Sequence, residues 1–228
     1  MPHRLRPCFL LPLALAACSA PPGARPPQAP ANAAGPTGSG SAAIAGSDSA
    51  AGISATAADM QRYRSDRYGF RIDYPADWTA QRDFDHGYLA NGAWKTYAPA
   101  GSVGTPVLAL VMPHSNDVTA AELRIGVSSD ADAVQHCSEP SGAVRGAVGH
   151  ATLAGTRFTR FEAADAAMSH YLTVHSYRAV HDGRCYAIDL LVTGTNPQVY
   201  DPPATPPFSR DQAFARLHAV LQGFRFTP

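Results

Sequence analysis

Two alternating apolar runs near the C-terminal end of the chain constrain the fold more than anything else in the sequence. Residues 169–180 carry Tyr171, Leu172, Val174, Tyr177 and Val180, and residues 184–193 carry Tyr186, Ile188, Leu190 and Val192. Between them lies His181-Asp182-Gly183-Arg184, whose Asp-Gly centre favours the positive φ angles of a tight two-residue turn. The two runs therefore predict a long antiparallel hairpin, and a sheet must grow around it. Other strand signals surround the hairpin. Tyr68, Phe70, Ile72 and Tyr74 alternate with Gly69, Arg71 and Asp73 before Pro75 ends the run. Residues 106–112 form a continuous apolar stretch, as expected for a strand buried on both faces, and residues 122–128 read as another strand. Residues 151–163 carry Leu153, Phe158 and Phe161, with a turn or bulge at Gly155.

Helix signals are few. Asp130 is placed to cap one or two turns reaching Cys137. Ser209 with Gln212 three residues on makes a capping box, and the stripe Phe214, Leu217, Val220, Leu221 runs to a stop at Gly223. Phe224-Arg225-Phe226 then adds a short last strand, and the five prolines of residues 195–208 make that stretch a loop. The expected class is α+β, an antiparallel β-sheet with helices packed on it.

The N-terminal part follows different rules. Arg4 and Arg6 precede an apolar run over residues 8–17, shorter than the roughly 20 residues a spanning helix needs. Leu15-Ala16-Ala17-Cys18 resembles the bacterial lipobox, which implies cleavage before Cys18 and acylation of that cysteine. Two or more acyl chains hold a protein on a bilayer where one does not. Residues 19–58 are almost entirely Ala, Pro, Gly and Ser, too poor in apolar surface to order a core. The expected organisation is a lipoprotein signal peptide at 1–17, a lipidated Cys18 with a disordered tether over 18–58, and a single globular domain over 59–228. A tether of that length spans roughly 35 Å as a flexible coil. Ser19 is not the Asp that marks inner-membrane retention in enteric bacteria, so the expected location is the cell outer membrane, facing the periplasm.

Cysteine usage agrees with export. Cys8 leaves with the signal and Cys18 is the lipid acceptor, so Cys137 and Cys185 remain as one pair, expected as a disulfide, with two buried free thiols or a redox pair as the alternatives. The spacing is not that of a redox Cys-x-x-Cys motif. Three of the 18 basic and one of the 18 acidic residues precede Asp59, leaving 15 against 17 in the domain. A near-neutral domain speaks against a nucleic-acid surface.

The segment Tyr68-Gly69-Phe70-x-Ile72-x-Tyr74-Pro75-x-x-Trp78 resembles the opening motif of PsbP-like proteins, a superfamily that includes Mog-type proteins and bacterial envelope lipoproteins. The helix with Phe214 and Leu217, followed by Gly223-Phe224-Arg225-Phe226, is similar to that fold's ending. The middle of the chain, with both domain cysteines, lies outside the resemblance. The resemblance implies an α/β/α sandwich used for docking or assembly, and it brings no catalytic residues with it.

Gly-x-Ser-x-Gly, His-Glu-x-x-His, the phosphate-binding Gly-x-x-x-x-Gly-Lys-Ser/Thr and Gly-x-Gly-x-x-Gly are all missing, so no cofactor and no enzyme activity is expected. His170, His175 and His181 invite a metal reading. On one strand, however, the odd separation of the first two puts them on opposite faces, and the last two stand about 20 Å apart. They are expected on solvated faces. A triad drawn from Ser176, His175 and Asp182 fails because strand neighbours point apart. The remaining candidates are for binding. Trp94, Lys95 and Tyr97 sit together as a recognition patch would, though Trp94 could equally fill the core, and Tyr200 lies in the proline-rich loop. The expectation is a non-catalytic binding or assembly module, held to the membrane by its lipid and paired with an envelope protein. A hydrolase with an unrecognised site, or a small-molecule or metal binder, is the alternative.

Overall fold

A computed structural model describes residues 60–84, 89 and 92–228, which belong to one compact unit. The signal peptide, Cys18 and the tether lie outside the described residues.

The central hairpin forms as the Asp-Gly turn dictates. Its first strand is His170–His181 and its second Arg184–Thr195, with Asp182 at φ 47° and Gly183 at φ 69° between them. In chain order the strands are β1 (Met60–Ser65), β2 (Phe70–Pro75), β3 (Thr79–Gln81), β4 (Thr105–Val111), β5 (Thr119–Ser128), β6 (Val144–Leu153), β7 (Thr156–Ala167), β8 and β9 (the hairpin) and β10 (Phe224–Phe226). Among the described residues two α-helices are present, α1 (Ala131–Gln135) and α2 (Arg210–Leu221). Asp130 caps α1 by accepting from the Ala133 N–H, and the Ser209/Gln212 capping box opens α2.

All pairings are antiparallel. A seven-stranded sheet runs β3-β4-β5-β9-β8-β7-β6, and a separate three-stranded sheet runs β1-β2-β10. Strand β10 closes against β2 through Phe224 opposite Ile72, which joins the chain's last strand to its opening motif. On one face of the large sheet, Leu123, Ile125, Tyr177, Ile188 and Leu190 meet the apolar stripe of α2 and the aromatic side chains Phe70 and Phe224. That face holds the main core.

The second face departs from the expected sandwich. Among the described residues only the short α1 reaches it as a helix, where Ala133 and Cys137 pack with Cys185 and Ala187. Much of the remaining cover is the irregular segment of residues 92–104. Its Trp94 is 3% exposed and packs with the α1 cluster. Gly126 of β5 faces the Trp94 backbone carbonyl so closely that a Cβ there would overlap it. The α/β/α arrangement is thus realised on one face by α2 and the small sheet, and on the other mainly by a loop. The disulfide Cys137–Cys185 ties α1 to β9, with Cα atoms 5.5 Å apart.

Strand β6 is the long edge strand of the large sheet, opposite the three-residue edge β3. Its register slips between Arg145 and Gly149, where Gly146 takes φ 70°, so the edge is bulged rather than straight.

Candidate functional site

Three groups of side chains have the burial or geometry of a site. The first lies on the second face, at the heart of the hairpin. Ser176 and Asp189 are paired across β8 and β9, and Arg178 stands two residues along on the same face. The Arg178 guanidinium lies 2.7 Å from Asp189 Oδ1, and both side chains are 1% exposed. Ser176 Oγ donates to Asp189 Oδ1 at 2.7 Å, and the Thr96 N–H donates to Oδ2 at 2.9 Å. Burial by itself would push the Asp189 carboxyl up, but the Arg178 charge and the hydrogen bonds from Arg178, Thr96 and Ser176 hold it below the usual carboxylate range. The Arg178 guanidinium also lies over the Phe161 ring, 5.4 Å from its centroid. Lys95, also buried, has its ammonium 5.1 Å from the Trp94 ring centroid, and burial followed by the nearby Arg178 charge pulls its pKa down. The patch reading is corrected for Lys95, while Trp94 takes the core position that was the other reading of this segment. Trp94 and Lys95 face inward because the segment around them is the lid of a sheet face, and Tyr97 is half-buried beside Leu172, Val174 and Leu191.

The second group bridges the sheet and α2. His175 Nδ1 and His218 Nε2 are 3.0 Å apart, and Tyr177 Oη is 3.2 Å from His218 Nδ1. His175 Nε2 stands 3.7 Å from Glu162 Oε1, which accepts from Arg160 at 2.6 Å. The His175 ring stacks on Phe214 with centroids 3.8 Å apart. With both rings neutral, one proton order satisfies the chain: Tyr177 donates to His218, His218 donates to His175, and His175 turns its remaining N–H toward Glu162. Such a row can pass a proton, and it also latches α2 to β8. The expectation that His175 lies on a solvated face is corrected, because α2 covers that side of the sheet. Ser176 turns to the opposite face and binds Asp189, so it does not join His175. His170 lines a cleft on the other face and His181 stacks on Phe226, so the three strand histidines do not converge. Among the described residues no three metal-ligating side chains come together.

Burial lowers both imidazole pKa values, that of His175 to about 4, with Glu162 opposing and the second imidazole and Arg160 assisting. The unfolded chain, with histidines near 6.5, binds more protons below that pH than the folded one. Stability supplied by the neutral pair is therefore complete above about pH 6.5 and falls as the pH drops toward 4. Thermal melts between pH 7.5 and 4.5 should show a steeper acid loss in the natural protein than in a His175→Gln, His218→Gln variant. Parallel curves would contradict this account.

The third group is a cleft of about 520 Å3 at the end of the large sheet where β5 begins and β9 ends. Its walls include Asn116, Asp117, Glu122, His170, Thr195 and Tyr200. That volume lies within the range of small-molecule and side-chain pockets. Thr195 Oγ1 and His170 Nδ1 are 3.2 Å apart at the rim, and the Asn196 N–H donates to Ser169 O at 2.7 Å, which pins the start of the proline-rich loop to the β7–β8 turn. A 3-10 turn, Pro197–Val199, with Asn196 as its cap, then presents Tyr200 to the cleft. Of the four residues expected to form a partner surface, Tyr200 alone is both exposed and beside a cleft.

Sequence reasoning missed His218 and the Arg178–Asp189 pair. Phe214 and His218 stand one helical turn apart on the α2 face that meets the sheet, and that spacing was the available signal for His218.

No family model matches the chain, and no curated protein matches it. Among solved structures, a cyanobacterial PsbP (CyanoP) from Synechocystis sp. PCC 6803 is 14% identical, with 80% of this chain and 98% of that one covered at a TM-score of 0.40. LpqN, a protein involved in cell envelope biogenesis of Mycobacterium tuberculosis, is 11% identical, with 74% and 92% covered at a TM-score of 0.40. At these levels of identity and superposition neither assigns the chain to a family or an activity.

Proposed function

We propose that this protein is a lipid-anchored module of the outer membrane, facing the periplasm, that binds or assembles with an envelope protein without catalysing a reaction. The observation that carries this reading is the cleft at the end of the sheet, framed by a long proline-rich loop that presents Tyr200. Loops of that length in a compact domain are commonly functional. The lipobox-like Leu15-Ala16-Ala17-Cys18 and the Ala/Pro/Gly/Ser stretch after it support an anchored domain able to stand off from its membrane.

Two measurements test it. Intact-mass spectrometry of the membrane-extracted protein should show two or three acyl chains on Cys18 and none after Cys18→Ala, and an unlipidated soluble protein would overturn the anchor. A photo-crosslinking residue at position 200 should yield a discrete protein adduct in intact cells that the same residue at position 60 does not. Equal labelling at the two positions, or none at position 200, would overturn the binding site.

A further inference from the structure

The cleft end of the sheet carries a charge and apolar pattern that identifies the chemistry of what docks there. This inference rests on the proposed binding function and deepens it. The segments that build this end are residues 111–122, 164–172 and 193–209. They contain four acidic residues, Asp117, Glu122, Asp165 and Asp201, and neither lysine nor arginine. Glu122 is buried against Arg124. Asp117, Asp165 and Asp201 are exposed, and none of the three forms an ion pair among the described residues. Whereas Asp165 lies in a neighbouring depression with Arg145 and Arg210, the lining of the cleft itself carries Asp117 and Glu122 and neither lysine nor arginine.

It is also apolar at its rim. Met168, at the tip of the β7–β8 turn, is 82% exposed, Val199 is 52% exposed and Tyr200 is 37% exposed. The Asn196 N–H to Ser169 O bond brings the loop that bears Val199 and Tyr200 to the turn that bears Met168. An isolated exposed apolar residue needs no explanation, but three gathered beside a cleft at one end of a sheet mark an interaction surface. The aromatic Tyr200 and the Asp117 carboxylate line the same cleft, a pairing suited to an organic cation. A small free amine would leave Met168 and Val199 uncovered.

We propose that this end docks a protein segment in which a lysine or arginine side chain enters the cleft beside Asp117 and Tyr200 while apolar neighbours cover Met168 and Val199.

The test uses the full mature chain with Cys18→Ala and three probes: a ten-residue alternating Leu/Lys peptide, its Leu/Glu counterpart and free spermidine. NMR titrations at about 0.15 M salt, where the Debye length is about 8 Å, give affinity and map the surface. The Leu/Lys peptide should shift the Asp117, His170 and Tyr200 signals and bind more tightly than spermidine. Asp117→Asn with Asp201→Asn should weaken it about tenfold, since two exposed charge contacts are removed. Met168→Ser with Val199→Ser should weaken the peptide and leave spermidine unchanged. All four sites are exposed, so the fold is not at stake. Equal binding of the Leu/Glu peptide, spermidine binding as tightly as the Leu/Lys peptide, or shifts mapping elsewhere would each overturn the cationic segment. If those failures occur while the position-200 crosslink still forms, the binding function stands and this inference alone falls.

Discussion

Replacing Asp189 by alanine should destabilise the domain by about 3–5 kcal/mol, because it leaves the Arg178 charge buried without its partner. The effect is large because the surroundings cannot relax. Arg178 is enclosed by the hairpin and lies over Phe161, and its guanidinium otherwise reaches the carbonyls of Tyr177 and Ile188, at 3.1 and 3.4 Å, and the Ser176 hydroxyl, at 3.4 Å, all of them neutral. Asp189→Ala also removes the acceptor for the Thr96 N–H and so loosens the lid over the second face. Replacing both charges together, Arg178→Met with Asp189→Leu, should cost far less than the single change, since a buried ion pair gives little net stability over well-packed apolar groups. Urea denaturation of the three proteins measures both points. A single-variant loss below about 1 kcal/mol would mean that water reaches the pair.

Removing the disulfide should cost about 4 kcal/mol, the chain-entropy value for closing the 48-residue separation between Cys137 and Cys185. For a domain of this size that corresponds to a melting temperature lower by about 10 °C. Alanine at both positions keeps the site apolar, so the comparison isolates the link. The loss should be greatest around α1, whose other attachment to the sheet is the small cluster with Trp94 and Ala187. Hydrogen exchange on the Cys137→Ala, Cys185→Ala variant checks this, and uniform exchange across the domain would contradict a local role.

The parts of the fold that were legible in the sequence are those decided by local chemistry. The Asp182-Gly183 turn, the Ser209/Gln212 capping box and the alternation of Phe70, Ile72 and Tyr74 each determine a backbone geometry within a few residues. The parts that were not legible depend on distant partners. Strand β1 is largely polar and exists because it pairs with β2. Most of β6 has no alternating pattern because it is a bulged edge with little to bury. The inward-facing charges of β8 and β9, Arg178 and Asp189, gave no signal of their role, because nothing in the strands reveals that residues 92–104 will cover them. His175 and His218 meet from 43 residues apart. Tyr200 was recognisable from loop length and proline content, whereas the acidic, apolar setting around it required three separate segments to be placed together.

The bulge in β6 limits how far a second copy of this domain could pair with that edge. An unbroken edge strand invites a neighbour to extend the sheet, and the risk rises as molecules are confined to two dimensions. The slip between Arg145 and Gly149 interrupts the ladder midway, so a second copy could match only a few backbone groups on either side. Local concentration can then rise without seeding a shared sheet along β6.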